Sequence, residues 1–155
     1  MAGRKTGLSA EKNEDTPECL FCRIASGLEN AHILHEDEFT IAFLDIKPVF
    51  AGHTLIVPKI HYELLENIPD HLIKPLFKIA RLFSVVMKES LNAQGSFVAM
   101  NNKVSQSVPH FHIHVIPRSK GDGLKGFFWP RKKYDDEHQI NTVANKIKKV
   151  LKCYI

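Results

Sequence analysis

The sequence contains no long hydrophobic run and few cysteines. Its longest apolar stretches, such as residues 82–87, fall far short of the roughly 20 residues that a membrane-spanning helix needs, so no membrane protein is predicted. The three cysteines are too few for the disulfide framework of a small secreted protein, and they fit a reducing location, the cytoplasm or the nucleus. The polar residues 1–18 lack the apolar core of a secretory signal, and we expect a disordered tail there.

Apolar side chains are nevertheless frequent enough to build one core. They make up 44% of the 155 residues, which is the length of one ordinary domain, and we predict a single domain over residues 19–155. The net charge of +4 fits binding of nucleic acid and binding of a small phosphorylated anion equally well, so charge alone does not decide the function.

The spacing of the apolar residues predicts an α+β fold. Five strands are expected, two of them in a hairpin over 33–44 and the others over 53–57, 96–101 and 109–117. Apolar residues three and four positions apart predict a long helix that ends near Leu91. Asp70 could cap this helix, but Pro75 lacks an N–H group, so the helix could also start nearer Lys74. The same spacing over 140–151 predicts a C-terminal helix.

Three histidines alternate with apolar residues in the last predicted strand. Because side chains alternate in a strand, His110, His112 and His114 are expected on one face, with the intervening apolar side chains facing the core. Residues two apart on a strand lie about 6.6 Å apart, so a phosphate chain could run across the three imidazoles. The residues alone leave two alternatives open. One is an exposed sheet face whose polar residues happen to be histidines, and the other is a metal site.

Residues 106–118, QSVPHFHIHVIPR, resemble the signature of the histidine triad family, including its flanking glutamine, serine and arginine. Residues 42–48 and 52–61 are similar to the hairpin and third-strand patterns of that family. The matches cover residues 19–118, about two thirds of the chain. The resemblance implies the histidine triad fold, in which a five-stranded antiparallel sheet carries a long helix, and it implies a homodimer.

The resemblance also implies a nucleotide hydrolase or nucleotidyl transferase. Members of the family bind a purine nucleotide, attack its α-phosphate and release the attached group, as in adenosine phosphoramidates, dinucleoside polyphosphates and adenylylated conjugates. His112 would be the nucleophile, provided that it is neutral and that a backbone carbonyl fixes its tautomer. His110 and His114 would support the nucleophile on both sides, and His114 and Ser107 would serve the leaving group. His53 would support the triad from the third strand, unless it is simply a half-buried structural histidine. No catalytic metal is expected.

Further residues match the nucleotide-binding positions of the family. Asp45 matches the acceptor for the ribose hydroxyls, although an aspartate here could also be a turn residue. Four side chains match the apolar base pocket, and any of them could instead be core: Phe21, Ile24, Phe43 and Ile46. Asn101 or Asn102 would take the role of the phosphate-binding asparagine, next to Gln106 of the signature.

Cys19 and Cys22 form a CxxC pair, which by itself is a moderate signal for a metal site. Some histidine triad proteins hold a structural zinc with such a pair, a histidine after the third strand and the histidine two before the nucleophile. The resemblance therefore implies zinc bound by Cys19, Cys22, His61 and His110. Four protein ligands leave no open position for water, so this zinc would be structural and would position the nucleophile's strand.

Two other functions stay open. One is a nucleotide sensor or scaffold that keeps the pocket and does little chemistry, which the intact His112 and Ser107 disfavour. The other is RNA binding by the basic and aromatic residues between Lys120 and Lys133, which we rank below the enzyme. In a homodimer, Trp129 in that segment is expected to reach toward the site of the partner.

Overall fold

A five-stranded antiparallel sheet forms the centre of the fold, in a computed structural model that describes residues 19–124 and 133–153. The strands are β1 (Ile33–Glu36), β2 (Thr40–Leu44), β3 (Thr54–Pro58), β4 (Gly95–Ala99) and β5 (Ile113–Arg118). Their spatial order is β1-β2-β3-β5-β4. The helices are α1 (Leu20–Ala25), α2 (Asp70–Leu91) and α3 (Glu137–Leu151), and a 3-10 turn spans Leu65–Asn67. The predicted α+β fold with a five-stranded antiparallel sheet is confirmed.

The chain divides into two compact units, Met1–Lys120 and Gly121–Ile155. The first unit contains the sheet with α1 and α2, and the second contains α3. Asp136 caps α3, because its side chain accepts a hydrogen bond from the Gln139 amide at 2.7 Å. A single domain over 19–155 stays a prediction.

Two of the sequence predictions lie outside the described residues: the tail over 1–18 and the aromatic segment with Trp129. Within the described part of the chain, no helix is long and apolar enough to cross a bilayer.

Local contacts set the turns between the first three strands. The side chain of Asp37 accepts hydrogen bonds from the amides of Phe39 and Thr40 at 2.9 and 2.8 Å, which closes the turn between β1 and β2. Gly52 has a φ of +95°, and a Cβ there would overlap the side chain of Leu91. The backbone conformation thus requires glycine before β3, whereas the exposed Leu91 side chain could rotate away from a Cβ.

The sheet buries a different apolar cluster on each face. Ala42 and Ile56 pack with α2, whereas Phe43 and Leu55 pack with α1, so alternate residues of β2 and β3 serve opposite faces. Phe111, Ile113 and Val115 lie in the α2 cluster and are fully buried. The apolar residues between the histidines therefore face the core, and the histidines face the α1 side.

Helix α2 begins earlier than Lys74, where the sequence allowed it to start. Asp70 is its first residue, the N-cap is Pro69, and no side chain caps the helix, so the role of Asp70 as a cap is wrong. Pro75 lies inside the helix and costs the hydrogen bond that would reach the carbonyl of residue 71. Burial of Leu72, which is 2% exposed, favours helix in the first turn and outweighs that single missing bond.

Strand β5 begins later than residue 109, where the sequence placed its start. The ladder with β3 extends only from Val115 back to Ile113, so the first two triad histidines precede the strand. There the Phe111 amide donates to the Tyr62 carbonyl at 2.6 Å, and the carbonyl of Pro58 accepts from a side chain instead of from the ladder. The segment that precedes His112 is therefore held by contacts outside the strand ladder.

Candidate active site and metal centre

A cavity of about 440 Å³ lies on the α1 side of the sheet, beside the histidine segment. That volume is within the range of small-molecule sites. Eight of the side chains proposed from the sequence line this cavity: Phe21, Ile24, Phe43, Asp45, Ile46, Ser107, His112 and His114. A second cavity, of about 480 Å³ between β1 and α2, contains no triad histidine. Of these two cavities, only the first therefore contains the side chains proposed for catalysis.

The His112 ring is held in one tautomer. Its Nδ1 lies 2.7 Å from the carbonyl oxygen of His110, and because a carbonyl can only accept, Nδ1 must carry the proton. Burial lowers the pKa of His112, although the hydrogen bond to His110 and the charge of Asp45 partly offset this effect. The ring is therefore neutral, and Nε2 keeps a free lone pair. Phe21 packs against it edge to face, with ring centroids 5.2 Å apart.

A hydrogen-bonded chain sets the tautomer of His114. The Val49 amide donates to His53 Nδ1 at 3.2 Å, and His53 Nε2 lies 2.9 Å from His114 Nδ1. Burial lowers the pKa of His53 and lowers that of His114 to about 4, so both rings are neutral. His53 Nε2 is then the donor, and the proton of His114 resides on Nε2. That buried nitrogen has no hydrogen-bond partner among the described residues.

Asp45 follows β2, and its two carboxylate oxygens have different neighbours. Its Oδ1 accepts a hydrogen bond from the Lys47 amide at 2.8 Å, which is the turn role considered from the sequence. Its Oδ2 lies 3.5 Å from His53 Nδ1, and the residue also lines the cavity. Asp45, His53 and His114 offer three potential ligand atoms within 4.8 Å of one another. Hydrogen bonding between the two imidazoles accounts for the closeness of His53 and His114.

The loop before the triad is held by its own side chains. Gln106 accepts from the Lys103 amide at 2.9 Å and donates to the Glu63 carbonyl at 2.7 Å. Asn102 accepts from the Leu65 amide at 2.8 Å. Asn101 is exposed, and none of the three predicted side chains Asn101, Asn102 and Gln106 lines the cavity. Their nucleotide-binding roles stay predictions.

The four proposed zinc ligands lie together at the N-terminal end of α1. Cys19, Cys22, His61 and His110 place one ligand atom each within 4.8 Å of the others. The sulfur–nitrogen distances are 3.4 Å from Cys19 to His110, 3.3 Å from Cys22 to His61 and 3.5 Å from Cys22 to His110. A tetrahedral zinc with ordinary bond lengths separates sulfur from nitrogen by about 3.5 Å, so the donor set fits zinc.

Other contacts of these four residues favour the binding of a cation. His110 Nε2 lies 2.9 Å from the Pro58 carbonyl and must donate to it, which leaves the Nδ1 lone pair facing the sulfurs. Burial, together with the neighbouring Cys19, raises the pKa of the Cys22 thiol to about 11. Two adjacent thiolates are thus costly unless a positive ion compensates their charge.

Sequence reasoning missed the main-chain groups that orient the imidazoles. The carbonyls of Pro58 and His110 and the amide of Val49 fix the three ring orientations. Every residue carries such groups, so no residue type signals them. Helix α1 was also missed, because its six residues are too few to show a helical period.

The family model of the HIT domain matches residues 27–121, more than half of the chain. An uncharacterised HIT-like protein of Methanocaldococcus jannaschii is 42% identical over 107 residues, which cover 68% of this chain and 82% of that protein. The protein Hit of Bacillus subtilis is 37% identical over 130 residues, covering 82% and 88%. An adenosine 5'-monophosphoramidase of Saccharomyces cerevisiae is 35% identical over 134 residues, covering 84% and 80%. The chain therefore belongs to the histidine triad (HIT) family.

Solved structures agree with this assignment. A member of the HIT family from Bacillus subtilis superposes with a TM-score of 0.75 at 32% identity, covering 86% of this chain and 96% of that one. A zinc-bound histidine triad family protein from Mycobacterium smegmatis superposes with a TM-score of 0.67 at 31% identity, covering 88% and 97%. The fold is thus that of the family, and one similar structure contains zinc.

Proposed function

We propose that this protein is a hydrolase or nucleotidyl transferase that acts at the α-phosphate of adenosine nucleotides through a covalent nucleotidyl-histidine on His112. The hydrogen bond from His112 Nδ1 to the His110 carbonyl carries this proposal, because it leaves Nε2 neutral and nucleophilic in a residue that lines the cavity. The named activity of the yeast relative, an adenosine 5'-monophosphoramidase, supports the same chemistry.

In the first step, the Nε2 lone pair of His112 attacks the α-phosphorus, and the bond from phosphorus to the leaving group breaks. Binding of an anionic phosphate favours the protonated form of imidazole, so the hydrogen-bonded pair His53 and His114 can hold one extra proton. His114 Nε2 passes this proton to the leaving atom, and Ser107 donates a hydrogen bond to it. Because imidazolium charge and amide dipoles stabilise the phosphate, no catalytic metal is required.

In the second step, water attacks the phosphorus and the bond from phosphorus to His112 Nε2 breaks. The proton of the water returns to the pair His53 and His114, which restores the starting state. Asp45 accepts hydrogen bonds from the ribose hydroxyls, and Phe21, Ile24 and the exposed Ile46 contact the base.

Adenosine phosphoramidates are the preferred substrate class in this proposal. The test measures release of adenosine monophosphate from a phosphoramidate, a diadenosine polyphosphate, adenylyl sulfate and an adenylylated amine at equal concentration. We expect turnover of the phosphoramidate and a large loss of it in His112→Ala. Tight binding of adenosine monophosphate without turnover of any substrate would favour the nucleotide sensor instead.

The proposal includes a structural zinc and a homodimer. Zinc is supported by the fit of Cys19, Cys22, His61 and His110 and by the zinc-bound relative. A homodimer is supported by the edge strands β1 and β4, each of which has no strand partner on its outer side among the described residues. Strand β4 also exposes Val98. Light scattering at micromolar concentration tests the dimer, and a monomer would contradict it.

Unpaired cysteines support a reducing compartment such as the cytoplasm.

A further inference from the structure

Of the polar side chains that line the cavity, Glu29, Asn30 and Lys47 have no part in the proposed reaction. Glu29 and Asn30 follow α1 and line the cavity. The Leu44 amide donates to the carbonyl of His32 at 3.1 Å, so the chain just after Asn30 runs beside the end of β2. Glu29 and Asn30 therefore lie at the β1 side of the sheet, beside Asp45 and Ile46.

The polar groups of the cavity follow the order of the parts of a nucleotide. His114 lies on β5, Asp45 follows β2, and Asn30 precedes β1. Since β3 separates β5 from β2, the positions of His114 and Asn30 lie three strand spacings, about 14 Å, apart. A nucleotide whose phosphate lies at the histidines and whose ribose lies at Asp45 thus brings its base to Glu29 and Asn30.

The segment that carries these side chains is firmly held. The amides of Leu28 and Glu29 both donate to the Arg23 carbonyl, at 2.8 and 3.1 Å. Arg23 also pairs with one carboxylate oxygen of Glu29 at 3.1 Å. The second carboxylate oxygen of Glu29 and the whole amide of Asn30 make no hydrogen bond with the described residues, so both are available to a ligand.

From this arrangement we infer that Glu29 and Asn30 select a purine with a 6-amino group over a 6-oxo purine. The inference rests on the proposed function, because that function places the base here. An asparagine amide pairs with the amine and the adjacent ring nitrogen of adenine, as it does in DNA readout. The free oxygen of Glu29 accepts from the same amine. In a 6-oxo purine a carbonyl oxygen would face that carboxylate, and two acceptors repel.

The selection is modest in size because the side chains are partly exposed. The Glu29 side chain is 39% exposed and Asn30 is exposed, so water competes for both hydrogen bonds. We expect adenosine to be preferred to inosine by about tenfold, far below the discrimination of a fully buried polar site. We expect the adenosine and inosine substrates to differ in KM and not in kcat, because the base lies far from the reacting phosphorus.

The experiment compares adenosine, inosine and guanosine 5'-monophosphates in calorimetric binding, and the corresponding phosphoramidates in kcat/KM. The wild-type protein is compared with Asn30→Ala and Glu29→Gln. Leu28→Ala serves as the control, since Leu28 lies on the same segment, is 54% exposed and does not line the cavity. Each variant should reduce the preference for adenosine to about threefold or less, whereas the control should keep it.

Equal binding of adenosine and inosine monophosphates by the wild-type protein, or tighter binding of guanosine monophosphate, would overturn the inference. An undiminished preference in both variants would overturn it as well. If the expected binding preference occurs but no phosphoramidate is hydrolysed, the proposed function fails and the base selection stands. If all phosphoramidates are hydrolysed at equal kcat/KM, the function stands and the base selection fails. Absence of binding by all three nucleotides would overturn both.

Discussion

His110 and His112 are two residues apart, yet their rings are oriented by opposite nitrogens. His110 donates from Nε2 to the Pro58 carbonyl and offers Nδ1 to the metal centre. His112 donates from Nδ1 to the His110 carbonyl and offers Nε2 to the cavity. The comparison shows that the residue type supplies an imidazole, while a main-chain carbonyl decides which nitrogen remains free to act.

The metal centre and the active site also differ in what they hold together. The candidate metal centre joins α1 to the histidine segment, and Phe21, between the two cysteines of that centre, packs its ring against His112. The active site joins residues of β3, β5 and the end of β2 around a space for substrate. Residue 110 belongs to both, through its ring in one and its carbonyl in the other. Loss of the metal should therefore weaken catalysis without abolishing it.

The largest effect that separates the two regions is expected for His112→Ala. Removal of a covalent nucleophile commonly lowers kcat by about four orders of magnitude or more. Affinity for adenosine monophosphate should change far less, since one hydrogen bond contributes about 0.5–1.5 kcal/mol. His71→Ala, an exposed histidine on α2, is the control in steady-state assays and calorimetry. Wild-type turnover in His112→Ala would contradict the assignment.

The next largest effect is expected for His114→Ala and depends on the leaving group. Without the Nε2–H donor, substrates with a poor amine leaving group should lose about two to four orders of magnitude in kcat/KM. Substrates with an activated aryl leaving group need no proton and should stay within about tenfold of the wild type. Parallel kinetics on the two substrate types measure this difference. An equal loss on both would show that His114 acts only through structure.

Removal of a metal ligand should have a smaller effect on activity and a large effect on metal content. Cys22→Ser should lower zinc from about one equivalent to less than about a tenth, and should lower activity by about 10- to 100-fold through the misplaced His110 carbonyl. Cys153→Ser is the matched control, because Cys153 is exposed and belongs to the other unit. Elemental analysis and thermal unfolding measure both effects. Wild-type protein without zinc, prepared free of chelator, would refute the metal centre.

The smallest expected effect is a pH dependence of stability from His114. Burial beside His112 and His53 lowers its folded-state pKa from 6.5 to about 4, and Asp45 offsets this only in part. Between pH 6.5 and 4, His114 is protonated in the unfolded chain but stays neutral in the folded protein. The free energy of unfolding should therefore fall as the pH drops from 6.5 to 4. Thermal unfolding at pH 7 and 5 should show a smaller drop in His114→Asn than in the wild type or in His71→Asn. An identical drop in all three would exclude His114 as the cause.

The sequence predicted most of the sheet and the triad face, because both follow from periodicity. Phe111, Ile113 and Val115 face the core, as alternation in a strand requires. The start of β5 was wrong, since alternation cannot tell an extended segment from a hydrogen-bonded strand. The role of Asp70 as a cap was also wrong, because Asp70 is already the first residue of α2. The sequence left the start of this helix open, and the burial of Leu72 favours the earlier start despite Pro75. These errors arise where a tertiary contact overrides a local preference.

In the candidate site, residue types could be predicted and hydrogen-bond partners could not. The resemblance predicted that Cys19 belongs to a set of four metal ligands and that His112 lies in the nucleotide site. In the structure the four ligand side chains lie close together, and His112 lines the cavity. Asn102 and Gln106 hold the loop through hydrogen bonds to the Leu65 amide and the Glu63 carbonyl, respectively. These main-chain groups are far from both side chains in sequence, and only folding brings them near. Glu29 and Asn30 likewise line the cavity only because the segment before β1 lies beside the end of β2 in the folded chain.

The most direct test of the covalent mechanism is to map the trapped intermediate. The enzyme is mixed with an adenosine phosphoramidate in excess, denatured without acid so that the labile bond between phosphorus and nitrogen survives, digested and analysed by mass spectrometry. The account predicts adenylate on the peptide that contains His112, with fragment ions that place it on that residue, and no adduct in His112→Ala. Adenylate on any other residue, or product release with no adduct under these conditions, would contradict it.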